Sequence, residues 1–354
     1  MQMALDFAAK GKGHTSPNPM VGAVIAKGDR VIAAGWHQRC GADHAEIVAL
    51  KKAGTRARGA KLYVTLEPCF HYGRTPPCVD KVIDSGIREV AIAMADPNPL
   101  TRGKSIAKLR RAGIKVKVGI LRPQAEQLNE VFVKYIRSKM PFVAAKCAQT
   151  LDGKIATVTG ESQWITSSKT RDYARRIRDE FDAICAGVNT VLRDDPRLNG
   201  VKKTKRLKKI ILDSSLKTSL KARLFKGVWP ADCIIAVTRE APPAKIKQFQ
   251  NKGVRVIICP AKDGHVDLKC LLKALAKEEI TSILMEGGAR VIGSALKSKL
   301  VDKLYIYVAP QIIGDQDALS SIVGVDTVNI GRSIRLKDLT SRNIGQDILL
   351  IGYV

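Results

Sequence analysis

Long apolar runs are missing from this 354-residue sequence. No window offers the roughly 18 uncharged apolar residues that a membrane-spanning helix requires. The first residues predict a short helix, without the apolar core and small-residue cleavage site of a secretion signal. Aromatic residues make up only 5% of the chain, and there is no internal repeat or low-complexity segment. These absences predict a globular protein with room for two domains, neither embedded in a membrane nor exported.

The cysteines show no disulfide framework. Eight are scattered along the chain. Those outside the candidate metal site described below lie mostly within apolar segments, as buried reduced thiols do: Cys40, Cys147, Cys185, Cys233, Cys259 and Cys270. We therefore expect a cytoplasmic protein.

Acidic residues are few, with 33 Asp and Glu against 60 Lys and Arg and a formal net charge of +27. The excess is spread out, because residues 1–140 hold 24 basic and 11 acidic residues and the remainder holds 36 and 22. Such a charge attracts phosphorylated small molecules as well as nucleic acid, or is simply a solvated surface. The densest basic run, residues 202–209, predicts a solvated loop that enters a strand and borders a phosphate site.

One stretch points to chemistry. His44 begins a predicted helix, and Cys69 and Cys78 follow a predicted strand at residues 61–66. One imidazole and two thiolates can give zinc three ligands and leave the fourth position open to water, as in catalytic sites. The histidine alone or the two cysteines alone would more often have a structural role, since short motifs recur by chance and free cysteines are commonly buried. Together and in this order, the two halves predict a catalytic zinc site.

Glu46, two residues past the histidine, is the candidate catalytic residue. A carboxylate beside a zinc site can relay a proton from water to a leaving amine. A His-x-Glu followed by Pro-Cys and a second cysteine is the signature of zinc nucleobase deaminases. Eight residues separate the two cysteines here instead of the usual two. The sequence therefore predicts a deaminase with a lengthened metal loop.

Strand-like and helix-like segments alternate along the whole chain, which predicts an α/β fold. The best domain boundary is Ser138-Lys139-Met140-Pro141, between a predicted helix at residues 124–137 and a strand at residues 142–147. We expect domains at residues 1–140 and 141–354. In the second, Glu286-Gly287-Gly288 lies between a strand and a helix, where glycines either admit a phosphate or simply make a tight turn.

Together these segments resemble the RibD/RibG family of bifunctional riboflavin-biosynthesis deaminase/reductases. The likeness spans nearly the whole chain and rests on His44-Ala45-Glu46, Thr65-Leu66-Glu67-Pro68-Cys69, residues 71–78, Pro17-Asn18-Pro19, Asp96-Pro97-Asn98-Pro99, Leu151-Asp152-Gly153-Lys154, residues 160–166, Asp194-Asp195-Pro196, Glu286-Gly287-Gly288, Leu300-Val301-Asp302 and Ala309-Pro310. It implies an N-terminal cytidine-deaminase-like α/β/α domain and a C-terminal dihydrofolate-reductase-like α/β domain. It also implies two consecutive steps: zinc-dependent loss of an amino group from a diaminopyrimidinone ribosylamine phosphate, then NADPH-dependent reduction of the ribosyl group to ribityl.

The resemblance also implies roles for single residues of the deaminase half. Those it places on the pyrimidine and the ribose phosphate are Asn18, His37, Arg74 and Asn98. Plainer alternatives exist. Both asparagines lie between prolines and are suited to turns, and His37 could be a satisfied histidine beside Trp36. His71 would brace the cysteine loop, because a fourth protein ligand would close the zinc site.

In the reductase half, the cofactor would carry the chemistry while the protein supplies orientation and phosphate contacts. By the resemblance, the substrate contacts are Lys146, Ser162, Arg178, Leu198 and Glu286, with Arg178 reaching the phosphate. The residues along NADPH are Ala148, Trp164, Thr190, Asp194, Ser214 and Gly288. The alternatives are a core aromatic for Trp164 and a surface charge on a basic helix for Arg178.

Two departures from the family pattern stand out. Phe70 follows the first zinc cysteine where the family has a small serine, so the loop must repack. Residues 197–202 replace a Leu-Thr-x-Arg pattern whose arginine grips phosphate. Arg197, Lys202 or Lys203 could substitute, although lysine lacks the bidentate fork of arginine.

Two other functions are compatible with the sequence. One is a nucleic-acid or nucleoside deaminase, which shares the zinc motif, although the spread charge and the scarce aromatic residues argue against it. The other has a degenerate reductase-like domain that only binds or assembles. We expect zinc, NADPH and a small phosphorylated pyrimidine as ligands, no membrane or nucleic-acid partner, and a homo-oligomer.

Replacing Lys202 and Lys203 together by alanine is expected to raise the KM for the reductase substrate, because these side chains are candidates for the phosphate contact that the missing arginine would make. Initial rates of NADPH oxidation over a range of substrate concentrations measure this. An unchanged KM would refute the assignment.

Overall fold

The computed structural model describes residues 1–70, 77–202 and 205–354. The chain divides into two compact units, Met1–Met140 and Pro141–Val354. Each unit contains one large sheet flanked by helices, which confirms the expected α/β class. Among the described residues, no helix combines the length and apolarity needed to cross a bilayer.

A mixed sheet forms the first unit. Its strands are β1 Gly22–Lys27, β2 Arg30–Trp36, β3 Lys61–Leu66, β4 Glu89–Met94 and β5 Lys115–Val118. Its helices are α1 Gln2–Ala9, α2 Ala45–Ala53, α3 Cys78–Asp84, α4 Lys104–Arg111, α5 Arg122–Leu128 and α6 Glu130–Ser138. The strand order is β2-β1-β3-β4-β5, with β1 antiparallel to β2 and β3, and with β3, β4 and β5 parallel.

Two glycines let α1 and α2 lie directly on the backbone of the sheet. A Cβ atom on Gly22 of β1 would stand 1.9 Å from the carbonyl oxygen of Ala4. A Cβ on Gly35 of β2 would stand 2.8 Å from both the Ala45 oxygen and the Ala49 nitrogen. Since real Cβ contacts are longer, only glycine fits here. The close approach holds the N-terminus of α2 against the sheet, where His44 precedes its first residue.

The single closing helix predicted at residues 124–137 is wrong, because α5 and α6 are separate helices that meet at Asn129. The backbone of Asn129 leaves the helical region at φ −104° and ψ 24°. Its buried amide accepts a hydrogen bond from the N–H of Met20 at 2.8 Å and donates one to the Met20 carbonyl at 2.9 Å. The break between the two helices thus lets the Asn129 side chain hydrogen-bond the backbone of Met20. The periodicity of the sequence could not reveal this contact.

A longer sheet forms the second unit. Its strands are β6 Phe142–Thr150, β7 Lys154–Ala156, β8 Ala183–Gly187, β9 Lys208–Leu212, β10 Cys233–Val237, β11 Arg255–Ile258, β12 Ala261–Lys262, β13 His265–Val266, β14 Ser282–Glu286, β15 Lys303–Ala309, β16 Leu319–Ser320, β17 Lys337–Ile344 and β18 Asp347–Tyr353. Its helices are α7 Ser168–Arg178, α8 Val188–Asp194, α9 Pro243–Asn251, α10 Leu268–Ala276 and α11 Ala289–Lys297. The main order is β11-β10-β9-β8-β14-β6-β15-β18-β17, and β12–β13 and β16–β7 form small separate pairs.

The direction of the strands gathers several loops at one edge. From β11 across to β15 all neighbouring strands are parallel, while β18 and β17 are antiparallel at the far side. The carboxyl ends of β9, β8 and β14 therefore lie side by side. Open parallel sheets bind ligands in the crevice outside these ends. The loops that follow these three strands are the ones expected to form a cofactor site.

The basic run at residues 202–209 is not a solvated loop throughout, so that expectation is wrong for its last residues. Lys208 and Lys209 already belong to β9. Lys209 is 1% exposed, and its ammonium donates to the carbonyl oxygens of Arg197 at 2.6 Å and Leu224 at 2.9 Å. Two backbone carbonyls thus satisfy a charge that a composition argument assigns to solvent. Lys203 lies outside the described residues.

Replacing Asn129 by alanine is expected to lower the free energy of unfolding of the first unit by about 2 kcal/mol, because two buried hydrogen bonds are lost and the Met20 backbone loses its partners. Urea unfolding followed by circular dichroism measures the change. Gln124→Ala, an exposed position of the same α5, is the matched control and should shift the midpoint little. Equal stability of the two variants would contradict the role given to Asn129.

Candidate active sites

Three elements of the first unit bring the predicted metal ligands together. His44 caps the N-terminus of α2, Cys69 follows β3, and Cys78 is the first residue of α3. The His44 Nδ1 atom lies 3.0 Å from the Cys78 sulfur and 3.5 Å from the Cys69 sulfur. All three donor atoms lie within 4.8 Å of one another. Ligand atoms around a tetrahedral zinc are roughly 3.3–3.8 Å apart, given metal–ligand bonds of about 2.0–2.3 Å. The cluster therefore fits zinc.

The protonation of the cluster also suits a cation. A hydrogen bond from Cys78 lowers the pKa of the Cys69 thiol well below its usual range. The same contact and burial raise the pKa of Cys78, while the hydrogen bond to Cys69 raises the pKa of His44. The Cys69 thiolate therefore forms readily, whereas the neighbouring Cys69 opposes the ionisation of Cys78. A divalent cation removes that opposition, since metal binding favours both thiolates.

Glu46 lies in the first turn of α2 beside this cluster and is 3% exposed. Burial raises the pKa of its carboxyl to about 7, against the opposing pull of His44. A carboxyl group that titrates near neutral pH can both accept and release a proton. The structure thus places a buried carboxyl, with a pKa near neutrality, where the motif predicts the catalytic residue.

Asn18 and His37 form a pair next to the metal ligands. The buried His37 ring donates from Nδ1 to the Asp43 carbonyl at 3.1 Å, which leaves Nε2 to accept from the Asn18 amide at 3.1 Å. Burial lowers the pKa of His37, in keeping with a neutral ring. The ring stands edge-on to His44 with centroids 5.3 Å apart. His37 is therefore a satisfied histidine, as the alternative had it, and also a neighbour of the metal cluster.

A carboxylate that sequence reasoning treated only as part of a motif ties the Asn98 turn to the metal loop. Glu67 is 2% exposed and accepts hydrogen bonds from the backbone N–H groups of Asp96 at 3.2 Å, Gly103 at 3.0 Å and Ile106 at 3.3 Å. Asp96 in turn accepts from the Asn98 N–H at 2.8 Å. The position of Glu67 between a strand end and Cys69 was visible in the sequence, but its partners, 29 to 39 residues further along the chain, were not.

The other expectations for this half have mixed outcomes. The Asn98 side chain accepts from the N–H of Leu100 at 3.1 Å, so the turn alternative holds for its oxygen. Phe70 packs against the core, with the ammonium groups of Lys104 and Lys108 5.9 and 5.7 Å from its ring centroid. Phe70 thus contacts α4, while the expected repacking of the loop relative to the family stays a prediction. Arg74 and His71 lie outside the described residues.

In the second unit, Glu286 at the end of β14 is the centre of an ion-pair cluster. Arg178 donates to both carboxylate oxygens at 2.8 Å, and the Lys146 ammonium lies 3.8 Å away. Burial alone raises the pKa of Glu286, but Arg178 and Lys146 outweigh it and hold the pKa at about 2. The alternative of a surface charge for Arg178 is wrong, because only 17% of its side chain is exposed. Three predicted substrate residues are thus in contact.

The segment that departs from the family pattern is firmly held beside this cluster. Arg178 also donates to the carbonyl of Asn199 at 2.8 Å. The buried carboxylate of Asp179 accepts from the N–H groups of Val201 and Lys202, each at 3.1 Å. Leu198 is 4% exposed with its side chain in the apolar core. A substrate contact by Leu198 would therefore have to come from its backbone.

A cavity of about 680 Å³ lies at the carboxyl ends of β9, β8 and β14. The predicted site residues among its lining are Ser162, Thr190, Asp194, Ser214 and Gly288. Ala148 and Trp164 are not among the lining residues. Ala148 is on β6 opposite Tyr307. Trp164 is 65% exposed with the Arg171 guanidinium 4.2 Å from its ring centroid, which rules out a core aromatic.

Glycines lie at the N-termini of the two helices that face this cavity. Gly287 and Gly288 both have φ of +86°, and a Cβ on Gly287 would stand 2.8 Å from the Thr190 hydroxyl. Gly288 and Gly187 immediately precede α11 and α8. Backbone N–H groups at the start of a helix are suited to phosphate. The cavity and its helix termini fit a phosphate-bearing dinucleotide.

A three-ligand metal cluster with an adjoining carboxyl, and a glycine-edged cavity at the ends of parallel strands, define a zinc deaminase joined to a dinucleotide-dependent reductase. Family models agree: "Cytidine and deoxycytidylate deaminase zinc-binding region" matches residues 1–94, and "RibD C-terminal domain" matches residues 141–350. The chain belongs to the RibD family of bifunctional deaminase/reductases of riboflavin biosynthesis, which confirms the resemblance.

The likeness to individual members covers both units. The riboflavin biosynthesis protein RibD of Aquifex aeolicus (strain VF5) is 42% identical, over 99% of this chain and 96% of the relative. A solved structure of Acinetobacter baumannii RibD has a TM-score of 0.89 at 36% identity, over 99% of this chain and 97% of that one. The deaminase/reductase from Thermotoga maritima has a TM-score of 0.85 at 34% identity, over 100% and 97%.

Glu286→Gln is expected to make the free energy of unfolding depend less on pH in the acid range. The carboxyl has a pKa of about 2 when folded and about 4.3 when unfolded, so the unfolded state binds more protons between these values. Stability from Glu286 is therefore complete above the unfolded pKa and is lost as pH falls toward 2. From pH 6 to pH 3 the wild type should lose roughly 2 kcal/mol more unfolding free energy than the variant. Urea titrations at each pH measure this.

The exposed Glu161→Gln serves as the control, because its side chain has no buried partner to lose. Its profile should follow that of the wild type. Parallel profiles for Glu286→Gln and the wild type would show that the cluster does not hold Glu286 ionised.

Proposed function

We propose that Met1–Met140 catalyses the deamination and Pro141–Val354 the reduction, in succession on one phosphorylated pyrimidine. The solved Thermotoga maritima relative is named a diaminohydroxyphosphoribosylaminopyrimidine deaminase and 5-amino-6-(5-phosphoribosylamino)uracil reductase. The proposed first substrate is accordingly 2,5-diamino-6-(5-phosphoribosylamino)pyrimidin-4(3H)-one. The observation that carries this proposal is the His44–Cys69–Cys78 cluster with the buried Glu46 beside it.

In the first unit, His44, Cys69 and Cys78 would hold zinc, which supplies Lewis-acid chemistry and lowers the pKa of a water molecule. Glu46 takes one proton of the attacking water and delivers it to the ring nitrogen, then takes the second proton from the new C–OH group and delivers it to the departing amine, which leaves the ring carbon as a carbonyl. The ring carbon gains a C–O bond and loses its C–N bond, and ammonia leaves. The raised pKa of Glu46 supports this role, because a group that titrates near pH 7 serves as both base and acid.

The pyrimidine and its ribose phosphate are proposed to contact Asn18, His37, Arg74 and Asn98. The Asn18–His37 hydrogen bond and the contact of His37 with His44 support this placement for two of them. The buried, neutral His37 would orient the Asn18 amide toward the ring. Glu67 supports the Asn98 turn, since it fixes the backbone on both sides of it.

In the second unit, NADPH supplies the hydride and the protein positions both reactants. Lys146, Ser162, Arg178, Leu198 and Glu286 are proposed to hold the ribosyl phosphate, and Ala148, Trp164, Thr190, Asp194, Ser214 and Gly288 to lie along the cofactor. The ionised Glu286 would accept hydrogen bonds from sugar hydroxyls. Arg178 would orient that carboxylate as well as approach the phosphate, because two of its nitrogens already bind Glu286. The net charge of +27 favours both anionic ligands.

The cellular setting is also part of the proposal. None of the eight cysteines, all of which are described residues, forms a disulfide bond, which is usual for a reducing compartment such as the cytoplasm. Assembly into a homo-oligomer stays a prediction, and size-exclusion chromatography with light scattering measures it.

Glu46→Gln is expected to reduce ammonia release by about 100-fold or more, because the amide cannot carry the proton. The variant should keep one zinc per chain and should still oxidise NADPH when given the deaminated intermediate. A chelator should have the same selective effect on the wild type. A coupled assay that follows ammonia and NADPH in parallel measures both steps.

Glu126→Gln is the matched control, because this carboxylate of α5 only pairs with Arg122 at the surface. It should leave both rates unchanged. Ammonia release by Glu46→Gln at the wild-type rate, or a chelator that stops both reactions equally, would refute the division of labour.

A further inference from the structure

A short hairpin in the second unit has a cysteine on each side of its base. Strands β12 and β13 pair in antiparallel register, and just outside this pair the N–H of Asp267 donates to the carbonyl of Pro260 at 3.0 Å. Cys259 immediately precedes Pro260, and Cys270 is the third residue of α10. The closed base therefore brings two cysteines that are apart in the sequence onto neighbouring stretches of backbone.

The two side chains are in contact. A hydrogen bond joins the Cys259 thiol to the Cys270 sulfur. Backbone contacts hold each cysteine independently of this bond, because the N–H of Cys259 donates to the Val237 carbonyl at 2.8 Å and the N–H of Cys270 donates to the Asp267 carboxylate at 3.1 Å. The fold itself therefore places the two sulfurs side by side.

An oxidant can reach this pair from one side. Cys259 is 2% exposed, whereas Cys270 is partly exposed. Burial and the contact with Cys270 raise the pKa of the Cys259 thiol to about 12, so this thiol keeps its proton at neutral pH. Oxidation therefore begins at Cys270, and Cys259 is placed as the second thiol that resolves the oxidised sulfur.

The hairpin between the two cysteines forms part of the cavity wall. Gly264, His265 and Val266 line the cavity, and so does Leu268 in the first turn of α10. The sulfurs of a disulfide are about 2.05 Å apart, which is closer than two hydrogen-bonded sulfurs can lie. Formation of the bond must therefore draw the end of β11 and the start of α10 together, and the cavity-lining segment lies between these two points.

We propose that Cys259 and Cys270 are a redox-sensitive dithiol that closes to a disulfide in the presence of hydrogen peroxide and thereby weakens dinucleotide binding in the adjoining cavity. The effect on binding rests on the proposed function of the second unit, whereas formation of the disulfide does not. Because coupling between two sites is reciprocal, a ligand that prefers the dithiol form must disfavour the disulfide by the same factor. The loaded reductase would accordingly keep the pair reduced.

The oxidation takes two steps that balance. The Cys270 sulfur first attacks one peroxide oxygen: an S–O bond forms, the O–O bond breaks, and the released hydroxide takes the thiol proton and leaves as water. The Cys259 sulfur then attacks the Cys270 sulfur: the S–S bond forms, the S–O bond breaks, and the hydroxide leaves as water with the Cys259 proton. Each sulfur loses one electron, and hydrogen peroxide is reduced to two water molecules.

Peroxide treatment of the full-length, zinc-loaded protein followed by tryptic digestion tests the pair directly. Cleavage after lysine and arginine leaves Cys259 in the peptide 256–262 and Cys270 in the peptide 270–273. Mass spectrometry should find these two peptides joined, and dithiothreitol should separate them. Cys259→Ser and Cys270→Ser should each abolish the joined peptides. Cys40→Ser, at another partly exposed cysteine, is the matched control and should keep them.

Isothermal titration calorimetry with NADP⁺ then compares the two redox forms. The oxidised wild type is expected to bind NADP⁺ about fivefold more weakly than the reduced form, at the lower end of usual coupling between two sites. In a buffer of reduced and oxidised dithiothreitol, saturating NADP⁺ should lower the ratio of disulfide to dithiol by the same factor. Cys270→Ser, which cannot form the bond, should bind NADP⁺ equally before and after peroxide.

Absence of the joined peptides from the peroxide-treated wild type would overturn the inference. Equal affinity of the two redox forms for NADP⁺ would also overturn it, since the disulfide would then not reach the cavity. The same would follow from an equal loss of affinity in peroxide-treated Cys270→Ser, because the damage would lie elsewhere. A reduced wild type that binds no NADP⁺ would instead refute the reductase assignment of the second unit, while the joined peptides would still decide whether the disulfide forms.

Discussion

The deaminase site depends on how closely α2 lies against β2. Gly35 brings the strand within contact distance of the Ala45 oxygen and the Ala49 nitrogen, where any side chain would force the helix outward. Because the helix cannot be displaced without losing this contact, its N-terminus stays beside the end of β3. His44 and Cys69 come from these two ends, and Cys78 begins a second helix that closes the triangle. The three predicted metal ligands are thus fixed by backbone packing, and the helix termini add partial positive charge that favours thiolates.

Two buried carboxyls show how the same residue type serves two purposes. Glu46 is almost fully buried, and this burial raises its pKa to about 7 and leaves its proton exchangeable near neutral pH. Glu286 is buried to a similar degree, but the contacts with Arg178 and Lys146 lower its pKa to about 2. When their environments push the pKa values of two carboxyl groups apart, one group can transfer protons while the other keeps a fixed charge. In the proposed reactions, the hydrolysis needs the exchangeable proton of Glu46, and the hydride transfer needs the fixed negative charge of Glu286.

Local chemistry was predictable from the sequence, whereas partners distant along the chain were not. Strand β3 matches its predicted bounds, residues 61–66, because apolar runs and flanking turns are encoded locally. The zinc motif was likewise recognisable from spacing. In contrast, Asn129 breaks a predicted helix to bind Met20, 109 residues away, and Arg178 reaches Glu286 over 108 residues. Lys209, which composition assigns to solvent, is buried, and its ammonium group donates to two backbone carbonyl oxygens. Such pairings are set by tertiary packing.

The loop at residues 197–202 lacks the arginine of the family pattern, but other contacts hold its conformation. Its conformation is held by Asp179, by Arg178 and by Lys209, while Leu198 anchors it in the core. A Cβ on Gly200 would stand 1.9 Å from the Asp179 carboxylate, so the loop and that side chain are fitted together. Because the N–H groups of Val201 and Lys202 already bind this carboxylate, they are not the donors for a phosphate. Under the proposed function, a contact between Lys202 and the phosphate would therefore come from its side chain, and Arg197 and Lys202 are both in exposed positions.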